Sequence, residues 1–199
     1  MRSPHKASLA NVGRAWLVGP LLAAVLHVQP GTASTLAEPS GVVQAVRRLQ
    51  PDLTVTGQGS LRMYGFHIYD ARLLLPPQGL AGERLTDQPF ALDLRYARPF
   101  RAADIARRTR EEMERLDAGS AAERRAWEAQ LARLLPDVRA NDHLTGVYRP
   151  GYGTTFLLNG VHLGDIAGAS FAEAFFAIWL DPRTSAPQVR QALLGRLRP

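Results

Sequence analysis

"FAEAFFAIWL", residues 171–180, is the stretch that most limits what this chain can become. Ser170 with Glu173 three positions on has the pattern of a capping box, which predicts a helix starting there. Around that helix only Glu173 is polar; Phe171, Phe175, Phe176, Ile178, Trp179 and Leu180 cover nearly the whole circumference. A helix that is apolar on every side has to be enclosed. Its ten residues span about 15 Å, roughly half a bilayer's hydrocarbon core. The helix is therefore expected inside a globular domain, wedged between a sheet and other structure. Asp181-Pro182 ends it, and "TSAPQVRQALLGRL" supplies a last helix with Pro187 in its first turn.

The sheet is written earlier in the chain. "FALDLRYA" alternates: Phe90, Leu92, Leu94 and Tyr96 point one way, Asp93 and Arg95 the other, as in a half-buried antiparallel strand. "HLTGVYRPGYGTTFLLNGVHLGDI" reads as two hairpins, with Asn159-Gly160 as a two-residue turn and Arg149-Pro-Gly-Tyr152 as a looser one. "LTVTGQGSLRMYGFHIYDARLLL" is also strand-rich, and Gly57, Gly59 and Gly65 are its turn or bulge positions. "SGVVQAVRRLQ" is a short helix before it. Two further helices lie between the strands. The first has a narrow stripe of Ile105, Thr109, Met113 and Leu116, and Arg-Glu pairs four apart on faces read as solvated, Arg108 with Glu112 among them. The second opens at the capping box Ser120 to Glu123, buries Trp127, Leu131, Leu134 and Leu135, and stops at Pro136. The fold class is thus α+β: a large antiparallel sheet with helices layered on one face.

The N-terminus reads as a processing signal rather than fold. Arg2, Lys6 and Arg14 precede the uncharged apolar run Ala15 to Val28, which is shorter than the roughly 20 residues a span needs. Gly31-Thr32-Ala33 and Thr35-Leu36-Ala37 both offer small-x-small cleavage patterns. Residues 1–37 are expected to be a signal peptide cut near 33 or 37, and 38–199 to be one domain, exported, periplasmic in a bacterium, without a membrane span once cleaved, and monomeric. The leader holds three basic residues and no acid, so the mature charge falls from +6 to +3. Lys6 is the only lysine, and an arginine-rich composition raises the pI without implying nucleic acid. No cysteine is present, which removes thiol nucleophiles, thiolate metal sites and disulfides.

Few constellations carry chemistry. His67, His143 and His162 lack any metal-ligand spacing, so no metal and no cofactor are expected. No serine sits in a nucleophile elbow, and the glycines of "GQGSLRMYG" do not fit a phosphate loop. No catalytic residue can be named. "GSLRMYGFHIYDARLLL", residues 59–75, is the richest segment: Arg62, Tyr64, His67, Tyr69, Asp70 and Arg72 are threaded through an apolar strand pair. His67, Tyr69, Ala71, Leu73 and Leu75 share one face. Tyr69 is read either as a core tyrosine or as a polar anchor at the mouth of an apolar cavity, helped by Arg62 or Tyr64. Arg with Tyr suits a carboxylate or enolate oxygen. Phe175, Phe176 and Trp179 would line the cavity.

"GSLRMYGFHIYDARLLL", "FALDLRYARPF" and "TTFLLNGVHLGDIAGASFAEAFFAIWLDPRTSAPQVRQALLG" together resemble the chalcone isomerase-like proteins, in particular an exported bacterial branch, across about residues 50–197. "FFAIWLDPRTS" is the most specific portion. The resemblance implies an open-faced sandwich with a ligand cleft between sheet and helices. It also implies one of two functions. The isomerases close a chalcone with an Arg, a Thr, a Tyr and an Asn; those positions fall near Gly57, Tyr69, Asp104 and Glu111 here, and none matches. The fatty-acid binders hold a carboxylate with an Arg and a Tyr; Tyr69 matches the Tyr, and Arg62 is the candidate substitute for the Arg. The leading expectation is a non-catalytic binder of a fatty-acyl or similar small apolar or amphipathic molecule. The alternatives are an isomerase or intramolecular lyase, and a structural module whose cleft is filled by its own side chains.

Overall fold

A computed structural model describes residues 40–80 and 84–195. The leader expected at 1–37 lies outside the described residues. The element order is α1 (Ser40–Leu49), β1 (Thr54–Met63), β2 (Phe66–Leu75), a short 3-10 turn (Leu85–Asp87), β3 (Phe90–Tyr96), α2 (Ala102–Arg115), α3 (Ala121–Leu134), β4 (His143–Arg149), β5 (Gly153–Leu158), β6 (Val161–Ala167), α4 (Ala169–Leu180) and α5 (Pro187–Leu194).

All six strands form one antiparallel sheet in the order β1-β2-β3-β4-β5-β6, so each strand pairs with its neighbour in sequence. Two-residue turns set the registers. Tyr64-Gly65 joins β1 to β2 and Asn159-Gly160 joins β5 to β6, each pair at positive φ. A register shift between Val55 and Gly57 falls at one of the glycines read as bulges. Gly57 and Gly59 also let α5 lie directly on β1. A Cβ at Gly57 would run into the Leu193 carbonyl, and one at Gly59 would come within 2.8 Å of Ala192 Cβ.

The period of two sorts the strands cleanly. Tyr69, Leu73, Leu75, Phe90, Leu92, Leu94, Tyr148 and Phe156 face α2, α3, α4 and α5 and form the main core. Leu74, Ala91, Val147 and Leu157 face the other way, where Val43 and Val46 of α1 cover them. The expected sheet with its helix layer is present, and α1 adds a short cover on the opposite side.

α4 is enclosed as its composition requires: Phe171, Phe175, Phe176, Trp179 and Leu180 are all buried. Each such side chain contributes about 1.5–3 kcal/mol by leaving water. The capping box expected at Ser170 and Glu173 does not form. α4 starts two residues earlier, from an N-cap at Gly168 at φ 94°, with no side-chain cap. Glu173 instead accepts a hydrogen bond from Thr86 Oγ1 at 2.8 Å. The box at the head of α3 does form: Ser120 Oγ accepts from Glu123 N, and the Glu123 carboxylate accepts from Ser120 N. α2 has no side-chain cap of its own; Asp137, from the loop after α3, accepts from Ala102 N at 2.8 Å.

Candidate functional site

The helix-facing side of the sheet carries two tyrosines in register, Tyr69 on β2 opposite Tyr96 on β3. Their rings meet edge to face at 6.2 Å. Trp179 Nε1, from α4, donates to Tyr69 Oη at 2.8 Å. The Tyr69 hydroxyl thus acts as acceptor there, and no described residue accepts its proton. The Tyr96 hydroxyl makes no hydrogen bond with a described residue. Burial pushes the Tyr69 phenol up to about 12, against the lowering effect of the Trp179 hydrogen bond; the Glu112 charge adds to the rise and Arg108 offsets it. Burial, and then Tyr69, push Tyr96 higher still. Both phenols are therefore neutral donors over the whole physiological range.

Glu112 is the residue that sequence reasoning misplaced. The Arg-Glu spacing predicts a solvated face for it, yet it is only 5% exposed, and its carboxylate is held between Arg108 and Arg115. It faces the core from α2 beside Thr109 and Met113. The period of the helix could have shown this, because 109, 112, 113 and 116 lie on one side. Tyr96 was assigned to the correct face but not as a donor, and its register with Tyr69 is the signal that identifies it.

The other expected residues do not converge. Tyr69 and Trp179 are joined, with Phe175 at 5.3 Å from Trp179 and Phe176 at 5.0 Å from Phe175. Arg62 and Tyr64 are exposed at the β1–β2 turn, with Tyr64 94% open to solvent. Neither makes a hydrogen bond with Tyr69 among the described residues. Aromatic rings of α4 and the sheet meet one another close to Tyr69 and Trp179. Phe175 contacts Phe171 and Phe156 at 5.4 Å each, and Phe90 meets Phe176 at 4.5 Å. Gly146 supplies the room: a Cβ there would stand 3.1 Å from the Phe176 ring. Two surface pockets, about 290 and 200 Å³, lie elsewhere, one between α1 and β4–β6 and one between α2 and α3.

Arg72 of β2 and Asp93 of β3 meet on the opposite side of the sheet. Asp93, 1% exposed, accepts from Arg72 Nη2 at 2.8 Å and from Thr145 Oγ1 at 2.8 Å, and lies 2.9 Å from His143 Nδ1. Burial works against its ionisation, but the His143 hydrogen bond and the charges of His143 and Arg72 hold its carboxyl below the usual range. The Asp-His pair orients an imidazole as a general base requires. However, Thr145 donates to Asp93 rather than to His143, so no nucleophile-base pair results. Asp93, expected on a wet face, is instead the centre of a buried cross-strand network. No described group of His, Asp or Glu could hold a metal ion.

The positions that correspond to the isomerase residues have clear surroundings. Gly57 lies beneath α5 with no space for any side chain. Asp104 pairs with Arg107, and Glu111 sits near Arg107 and Arg108, all on the solvent side of α2.

Among solved structures, a fatty-acid-binding protein of Arabidopsis thaliana (AtFAP1) superposes with a TM-score of 0.58 at 11% identity, over 72% of this chain and 87% of that one. The likeness establishes the fold. An uncharacterized protein of Haemophilus influenzae is 28% identical over 133 residues, which span 67% of this chain and 63% of its relative. Residues 41–195 match the family described as chalcone isomerase-like, and the chain belongs to that family.

Proposed function

We propose that the protein is an exported, non-catalytic binder of a fatty-acyl or similar amphipathic molecule, whose head group is met by Tyr69 and Tyr96. The supporting observation is the pair of neutral phenols in register inside an apolar layer, each with a hydroxyl proton that no described residue accepts. Two directed donors side by side suit one carboxylate. The AtFAP1 fold, and that protein's own ligand class, favour the same reading. The export and periplasmic part of this reading rests on the leader pattern alone.

A bound chain needs room where the rings of α4 and the sheet meet one another. It would take the space between the sheet and α4, with Phe175, Phe176 and Trp179 moving aside to become its lining. The isomerase reading draws no support from Gly57, Asp104 or Glu111. A second reading is favoured by the ring contacts of α4: a structural module whose interior is filled by its own aromatic side chains.

Native mass spectrometry of the purified protein incubated with saturated fatty acids of graded length separates the two. The binder gives a one-to-one adduct that Tyr69→Phe with Tyr96→Phe weakens, and the ligand at a hundredfold excess over Kd adds about 2.7 kcal/mol of stability. No adduct at any chain length, with an unmoved melting temperature, establishes the self-filled module instead.

A further inference from the structure

The β1–β2 turn breaks a local rule. Tyr64 takes φ 51° and Gly65 φ 82°. The left-handed conformation crowds a Cβ against the following carbonyl, so such turns favour Asn, Asp or Gly. The β5–β6 turn follows the rule with Asn159 at the same φ of 51°. A tyrosine at this position accepts backbone strain and gains no burial, being 94% exposed. Phe66 is 57% exposed and Met63 37%. Of the six large apolar side chains exposed among the described residues, three fall within these four positions. Strain held at a solvent-facing tip points to a use outside the fold.

The charge around the tip has one sign. Arg62 precedes Met63, and the Arg98 guanidinium stands 4.7 Å over the Phe66 ring. Neither has an ion-pair partner among the described residues. Asp70, the only acid of β1 and β2, is already taken up by His67, Arg95 and Ser60.

We infer that the β1–β2 tip is a membrane-contact element for a bilayer surface carrying anionic phospholipid. Tyr64 and Phe66 have the amphipathic ring character that settles at headgroup depth. Met63 adds apolar area, and Arg98, seated over the Phe66 ring, and Arg62 carry positive charge to the phosphate level. Phe66 stands three residues before Tyr69, about 10 Å along the strand. The inference stands on the tip alone, whatever Tyr69 and Tyr96 bind.

The test is co-sedimentation of the purified protein with vesicles of phosphatidylcholine, and of phosphatidylcholine mixed with phosphatidylglycerol. The protein is expected to pellet with the mixed vesicles and about tenfold less with phosphatidylcholine alone, the preference weakening as salt is added. Tyr64→Asn with Phe66→Ser lowers partitioning about tenfold, because it removes the apolar insertion. Melting temperature serves as the folding control, and Asn suits the turn. Arg62→Glu with Arg98→Glu abolishes the preference for the anionic vesicles. Absence of pelleting with either vesicle, or pelleting that survives the aromatic double variant in a folded protein, overturns the inference. The latter result would leave only diffuse charge attraction, and an acidic soluble partner would then be the occupant to seek.

Discussion

Trp179 Nε1 donates to Tyr69 Oη at 2.8 Å, joining α4 to β2 across 110 residues of sequence. Tyr69→Phe removes the acceptor and leaves a buried indole N–H without a partner. The expected loss is about 1–3 kcal/mol, read as a lower urea midpoint at unchanged m-value. Replacing both residues by Phe costs less than the sum of the single losses, and a double-mutant cycle measures the difference.

The same phenols set an alkaline limit. Tyrosine ordinarily ionises near 10, and burial takes Tyr69 to about 12. A raised folded-state pKa means the stabilisation is complete below pH 10 and is lost as pH climbs through 12. For Tyr69 this stabilisation is about 2–3 kcal/mol. Absorbance at 295 nm should show the phenolate of Tyr69 and Tyr96 appearing only as the protein unfolds.

Asp93 sets the acid side. Its carboxyl is held below the usual carboxylate range, since the His143 and Arg72 interactions outweigh the cost of burial. Its stabilising effect is therefore present above the ordinary value and is lost as pH falls beneath it. Asp93→Asn is expected to cost about 3 kcal/mol at neutral pH by leaving Arg72 without its buried partner. The variant should also lose less stability than the parent on going to pH 3, measured by urea denaturation at the two pH values.

Thr154 offers a gain. It is fully buried on the helix-facing side of β5, and its Oγ1 has no hydrogen-bond partner among the described residues. Thr154→Val keeps the shape and deletes the unsatisfied group. An increase of about 1 kcal/mol in stability is expected by thermal or chemical denaturation.

Gly57→Ala tests the α5 contact. The added methyl meets the Leu193 backbone rather than a movable side chain. A loss of about 2 kcal/mol or more is expected from the displaced helix, and limited proteolysis should cut α5 first.

Much of the fold was legible because periodicity and turn chemistry act locally. The alternation in Phe90 to Tyr96 gave a strand and its inner face, and Asn159-Gly160 gave a turn. The enclosed helix at 171–180 followed from its lack of a polar side. Errors arose wherever a partner came from afar. Glu173 was assigned to a cap and instead accepts from Thr86, 87 residues away. Asp93 looked like the wet side of a strand, but Arg72, His143 and Thr145 converge on it from the two neighbouring strands. Glu112 looked like surface, but α2 rotates it inward between two arginines. The candidate site was half legible: Tyr69 and Trp179 were named, though their direct bond was not foreseen. Tyr96 becomes visible as a donor only when the β2–β3 register is known.

The two glycines of β1 receive α5, the final helix of the described chain, directly against the strand. The earliest described strand is therefore clad by the latest described helix. Until that helix has left the ribosome, the face of β1 that it covers stays bare, so a nascent chain of this design has reason to be kept from closing early.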